Sequence, residues 1–211
     1  MVQNTQSNDP KAEMIRCIEL NKSIDSKCMI KKASFSIFGN CLNWIIGKNG
    51  SGKSTIVKIL AGLLEIDSGQ ILCSTKRMAV LLEYECLDTR MTGLDNIYFF
   101  MSLKEQKLDF NKMKYYASML GIFDDLMKDV DAYSKGMKRK LSILIVMLCN
   151  ADILLLDEPF SGLDQETRGK FLSELRNDER TIVIADHEVQ SFDKMDHVIR
   201  MENGKIICQN F

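Results

Sequence analysis

The chain has 211 residues, enough to bury a hydrophobic core as one large domain or two small ones. Its 28 basic and 29 acidic residues leave a formal net charge of -1, so no bulk field draws it to nucleic acid or to an anionic membrane. The longest apolar runs, 142–148 and 153–156, fall far short of the ~20 residues that span a bilayer, and residues 1–12 read as a polar tail without an apolar leader; a cytoplasmic protein is expected.

Residues 14–20 and 29–38 show short alternating patterns with β-branched and aromatic side chains, and 42–46 form an apolar run, so the chain opens with strands. The stretch that follows is Gly47-Lys48-Asn49-Gly50-Ser51-Gly52-Lys53-Ser54, leading into a helical apolar pattern over 56–64. Between a strand and a helix, such a glycine-rich turn brings backbone N–H groups close to phosphates. The lysine then reaches the β- and γ-phosphates, and the hydroxyl ligates Mg²⁺. Gly47, Lys48, Asn49, Gly50, Ser51, Gly52, Lys53, Ser54 and Thr55 are therefore candidate nucleotide-binding residues. The helix should end near 62–64, with a turn at 67–69 and strands at 70–73 and 77–82.

From 92 to 150 apolar residues recur at three and four, as in Ile97, Phe100 and Met101 or Tyr116, Met119 and Leu120, which predicts a helical insert. A buried strand at 153–156, a helix over 164–175 opened by Asp164 and a strand at 181–185 follow. Segments 198–201 and 205–207 around Asn203-Gly204 read as a closing hairpin. Strands alternating with helices predict an α/β protein with a largely parallel sheet.

The seven cysteines are odd in number, scattered and without a Cys-x-x-Cys pair, which favours small buried hydrophobes over a disulfide or metal framework. The strand at 153–156 runs into Asp157-Glu158-Pro159. Such a strand delivers Asp157 to the sheet edge where α/β folds bind ligands, in reach of Mg²⁺. Glu158 beside a γ-phosphate can orient the attacking water or accept its proton, while Lys53 offsets developing charge. The run Lys138-Arg139-Lys140 reads as a solvated helix face, and Tyr98-Phe99-Phe100 as helical packing, part of which could line a groove for a membrane partner.

Over nearly its whole length, from about residue 14 onward, the sequence resembles the ATP-binding cassette (ABC) ATPase subunit of a transporter. Besides the phosphate loop and Asp157-Glu158, Tyr133-Ser134-Lys135-Gly136-Met137 resembles the cassette signature Leu-Ser-Gly-Gly-Gln. Phe160-Ser161-Gly162-Leu163-Asp164 resembles the loop after the catalytic glutamate, and Asp186-His187 the switch histidine. The resemblance implies a P-loop NTPase fold with a mostly parallel sheet, an N-terminal antiparallel β portion and an inserted α-helical subdomain. Residues 13–211 would form a single ABC ATPase domain, with 13–83 and 151–211 as the ATP-binding core and 84–150 as the helical subdomain. It also implies that two cassettes sandwich two ATP molecules. Ser134 and Gly136 would face the partner's nucleotide, while Lys53, Ser54, Asp157, Glu158 and His187 face the subunit's own, with Glu158, His187 and Lys53 catalytic.

Three departures stand out. Lys135 and Met137 replace the usual Gly and Gln, a variant similar to cassettes of drug, antibiotic and bacteriocin exporters. Glu83 stands where the family usually has a glutamine contacting Mg²⁺, so the metal set is Ser54, Asp157 and Glu83. Ile24 replaces the aromatic residue on which adenine would stack, leaving GTP open. The implied protein is a cytoplasmic ATPase, peripheral on the membrane through a separate polytopic subunit and driving export, with ATP and Mg²⁺ as cofactors. Its other partner is a second cassette, identical or related, and nucleic acid is not expected. A soluble ABC protein acting on ribosomes or DNA, and a non-catalytic nucleotide-binding regulator, are the alternatives.

Overall fold

A computed structural model describes residues 12–83, 86–187 and 196–210. The expected polar tail lies outside them except for Ala12. Strands β1 (Glu13–Ile24) and β2 (Lys27–Phe38) pair antiparallel, and β1 pairs antiparallel with β4 (Ser68–Cys73), giving a three-stranded sheet in the order β2-β1-β4. Six further strands make a second sheet: β3 (Leu42–Ile46), β5 (Met78–Leu81), β6 (Ile153–Asp157), β7 (Thr181–Asp186), β8 (His197–Glu202) and β9 (Lys205–Asn210). Their order is β5-β6-β7-β3-β8-β9, with every neighbouring pair parallel except β8 and β9.

Every residue of β3, β6 and β7 is buried, as befits central strands covered on both faces. Alternation assigns the two faces. Leu42, Trp44, Leu154, Leu156, Ile182 and Ile184 pack into one core. That core also holds α2 (Gly93–Leu103), α3 (Phe110–Leu120), α4 (Lys135–Leu148) and α5 (Gln165–Asn177). Ile45, Ile153, Leu155, Val183 and Ala185 face the other core, shared with α1 (Lys53–Leu60) and the antiparallel sheet. Parallel pairing sets Ile46 beside Asp186 and Asp157 beside Ala185. The ends of β3, β6 and β7 therefore open onto one edge, the place where α/β sheets bind ligands.

Each helix after α1 begins at a polar cap. Thr92 and Asp95 form a capping box on α2, Asp109 caps α3, Ser134 caps α4, and Asp164 accepts from the Thr167 N–H on α5. Between 92 and 150 the described residues hold three α-helices and two short 3₁₀ turns but no strand. The closing hairpin turns through Asn203 and Gly204, both at positive φ (48° and 79°), the geometry of a two-residue turn of this kind.

Three expectations need correction. Ser68 and Gly69 lie in β4, not in a turn. Gly69, at φ 108°, sits where a Cβ would come 2.7 Å from the carbonyl oxygens of Ile18 and Glu19, next to a register shift between β1 and β4. A glycine marks a turn or a close backbone approach within a sheet, and here it is the second. α1 ends at Leu60, ahead of Gly62 at φ 71°. Of the seven free cysteines only Cys17 is buried; Cys28, Cys73 and Cys86 are exposed and the others half-buried.

Candidate nucleotide site

The phosphate loop leaves β3 at Gly47, and contact forces glycine at two of its positions, Gly47 and Gly52. A Cβ on Gly47 would come 2.4 Å from the Met201 carbonyl oxygen and 2.6 Å from Ser51 Oγ. Gly52 caps α1 at φ 107°, with Ile30 and Met29 against the space a side chain would take. No side chain caps α1 and its first turn carries no acid. The leading N–H groups and the positive end of the helix are thus left to an anion. Lys53, buried to 5% exposure, donates from Nζ to the carbonyls of Gly47 and Lys48 at 2.8 and 3.2 Å, which holds the ammonium inside the loop's curve.

Ser54 Oγ donates to Asp157 Oδ1 at 3.1 Å, joining the first turn of α1 to the end of β6. Asp157 is 1% exposed and its other oxygen, Oδ2, has no hydrogen-bond partner. Burial first, then the charges of Glu158 and Glu83, push the Asp157 carboxyl above its ordinary range, against the Ser54 hydrogen bond. A buried carboxylate oxygen with nothing to accept from, beside a hydroxyl, fits a hard divalent cation. Among the described residues no three acidic, His or Cys side chains are arranged to hold a metal by themselves. That suits Mg²⁺, which takes one or two protein ligands and completes its shell with substrate phosphates and water.

Glu83 and Glu158 line the same cavity as Gly50, Lys53, Ser54 and Thr55. Glu158 sits at φ 47°, a left-handed conformation that costs a non-glycine residue about 1–2 kcal/mol. Its N–H donates to the Ala185 carbonyl and its carbonyl accepts from the Ser161 N–H. Phe160, two residues on, is buried between Trp44 and Phe171, with Arg168 over its ring. His187, at the end of β7, brings Nδ1 to 3.5 Å from Glu158 Oε1 and 3.4 Å from Asp186 Oδ1. With Lys48, Asn49 and Ser51 it lines a second cavity across the loop, closed by the β8–β9 hairpin.

The pattern of the ABC transporter family matches residues 30–161. The chain belongs to this family and is an ATPase. It is 31% identical over 201 residues to the energy-coupling factor transporter ATP-binding protein EcfA1 of Mycoplasma pneumoniae, covering 86% of this chain and 73% of that protein. It is also 31% identical over 145 residues to the molybdate/tungstate import ATP-binding protein WtpC of Pyrococcus abyssi, covering 63% of this chain and 42% of that one. Among solved structures it shares its fold with MJ0796, a dimeric bacterial ABC transporter cassette, at a TM-score of 0.83, 19% identity and coverage of 93% and 98%.

The ABC ATPase does not gather all the expected residues into one place. Ser134 and Gly136 stand at the N-terminus of α4, where Ser134 Oγ accepts from the Met137 N–H, and neither lines either cavity beside the phosphate loop. Ile24 is exposed at the end of β1. His197 is a core residue, fully buried with Nδ1 3.2 Å from Asn43 Oδ1. The run 138–140 is not a solvated face: Arg139 is 3% exposed and donates to the carbonyls of Leu82, Asp157 and Glu158. Helical spacing does not single it out, since Lys138 and Lys140 stand at the same intervals of three, four and seven from buried residues of α4.

Proposed function

We propose that this ABC ATPase works as a pair of cassettes closing over two nucleotides at their seam and driving a separate polytopic membrane protein. The observation that carries the reading is the placement of the Ser134-Gly136 helix start. It lines neither cavity beside the subunit's own phosphate loop, yet its exposed N-terminus is suited to a phosphate. A second cassette, turned by a two-fold axis, would supply a nucleotide to it. In this proposal Gly47 to Thr55 hold the phosphates and Lys53 offsets their developing charge. Glu158 orients the attacking water and His187 contacts the γ-phosphate. Ser54, Asp157 and Glu83 would hold Mg²⁺, which, when bound, neutralises phosphate oxygens.

The membrane partner is supported by an apolar groove lined by Val80, Leu82, Leu87, Phe100, Ile145 and Val146, flanked by the exposed Tyr98 and Phe99. Such a groove suits the apolar face of an inserted helix. Among the described residues no helix is long and apolar enough to cross a membrane. In this reading the subunit is cytoplasmic and sits peripherally on its partner. Lys135 and Met137 favour an exporter of a drug, peptide or bacteriocin; family membership does not set direction, because an import ATPase is among the relatives.

Glu158→Gln tests the reading. Turnover is expected to fall by at least about 100-fold while ATP binding persists and a dimer appears by light scattering only with ATP. Steady-state hydrolysis at the parent rate overturns the role of Glu158. Co-purification with a polytopic membrane protein is expected; ribosomes or DNA in its place would favour a soluble ABC protein.

A further inference from the structure

One side of α4 is clamped to the segment that follows β6. Gly136, Arg139 and Lys140 fall at intervals of three and four, so they share that side. A Cβ on Gly136 would lie 3.2 Å from the Gly162 carbonyl oxygen, and Lys140 Nζ is 3.5 Å from Asp164 Oδ2. Between them the Arg139 guanidinium donates through Nη2 to the carbonyls of Asp157 and Glu158 at 2.5 and 2.7 Å. Through Nη1 it donates to the carbonyl of Leu82 at 2.5 Å, the residue just before Glu83. A planar, permanently charged fork can serve three carbonyls at fixed angles, which a lysine ammonium cannot reproduce.

These bonds meet the backbone where it is strained. Glu158 keeps its left-handed conformation through partners on its N–H and carbonyl. Among Ala185, Ser161 and Arg139, Arg139 alone belongs to α4, the helix whose first residues are Lys135 and Gly136 and whose cap is Ser134.

We propose that Arg139 is a positioning residue that makes Glu158, the Leu82-Glu83 step and the Ser134-Gly136 helix start move as one body. Contact between that helix start and the partner's nucleotide then fixes the aim of the same subunit's own Glu158. Each bound nucleotide therefore prepares the other site for hydrolysis, and turnover is cooperative in ATP. The inference rests on the paired seam of the proposed function and on Glu158 orienting the attacking water.

Arg139→Ala and Arg139→Lys test it in the full chain, with Glu158→Gln as control. Affinity for a fluorescent ATP analogue should stay within about two-fold of the parent, because no phosphate contact is removed. The kcat of Arg139→Ala should fall by about 10–100-fold, the loss expected from a misplaced catalytic group. The Hill coefficient for ATP should drop from about 2 toward 1. Millimolar guanidinium, far below denaturing levels, should restore part of the rate, and methylammonium should not. Arg139→Ala with parent turnover and Hill coefficient overturns the inference. So does a rate loss that tracks lost nucleotide affinity and ignores guanidinium. If the alanine variant fails to fold, Arg139→Lys decides: a lowered Hill coefficient at parent melting temperature supports the coupling, and a parent Hill coefficient refutes it. Normal hydrolysis by Glu158→Gln would instead remove the reading on which the inference stands.

Discussion

Asp157 is placed where its charge is resisted. Burial and the carboxylates of Glu158 and Glu83 raise its pKa in the fold, and the Ser54 hydroxyl opposes them only in part. A carboxyl whose pKa is raised on folding holds its proton better in the native state. Its contribution to stability is complete below the ordinary range near pH 4 and is lost as pH rises through the folded value. Asp157→Asn should therefore melt higher than the parent at pH 7 without nucleotide or metal, and the difference should close by about pH 4. Adding ATP with Mg²⁺ should reverse the order, raising the melting point of the parent more than that of the variant. Thermal melts across pH, with and without ligand, check both halves. Asp157 and Glu158 were legible because two acids end an apolar strand downstream of a phosphate loop. Arg139 was not, because Lys138 and Lys140 beside it stand at the same helical intervals from buried residues, and what sets it apart is the distant carbonyls of Leu82, Asp157 and Glu158. The cysteines misled for a related reason: residue type predicts average burial, while local placement decides exposure, as the pleat does for Cys28 in β2 and Cys73 in β4.

At the scale of elements, β3 appears at its expected bounds, and β6, β7 and α5 differ from theirs by one or two residues. Their signals are local: wholly apolar runs of strand length, and a polar cap before a helix. What escaped is set by partners far away in sequence, such as the Gly69 approach to β1 and the extension of β1 to Ile24. Asn43 shows how strongly one such partner can anchor the site. As the second residue of an otherwise apolar strand it is fully buried, and its amide donates to the carbonyls of Phe38, Cys41 and Ile182. Its carbonyl accepts from the Phe38 N–H and faces His197 Nδ1. One side chain thus ties the strand that feeds the phosphate loop to β7, β8 and the end of β2. Asn43→Ala removes these bonds at a fully buried position, and the loss should be about 2–4 kcal/mol. Urea unfolding should show a lower midpoint with an unchanged slope. The folded fraction should still bind nucleotide, since Asn43 touches neither cavity.

At the scale of the whole molecule, the proposed site is divided between two copies, and a single chain displays only half of it. The phosphate loop, Asp157 and Glu158 converge on one sheet edge by parallel register. Ser134 and Gly136 do not join them, however the chain is traced, so their purpose could be read from the sequence only through the family's ordered motifs. The division is open to a mixing experiment. With Glu158→Gln in every subunit, so that bound ATP is retained, one preparation carries Lys53→Ala and another Ser134→Arg. Either alone ruins both sites of its own dimer, because each site takes a Lys53 from one chain and a Ser134 from the other. In a mixed dimer the two defects fall on the same site and the opposite site is whole. Retained ATP should then be about two molecules per dimer for Glu158→Gln alone, about one for the isolated mixed dimer and close to none for either doubly substituted homodimer. Counting retained nucleotide rather than turnover keeps the result independent of any coupling through Arg139. A site built within one chain gives a different answer: every subunit carrying Lys53→Ala would lose its nucleotide, and mixing would restore nothing beyond what the Ser134→Arg protein retains by itself.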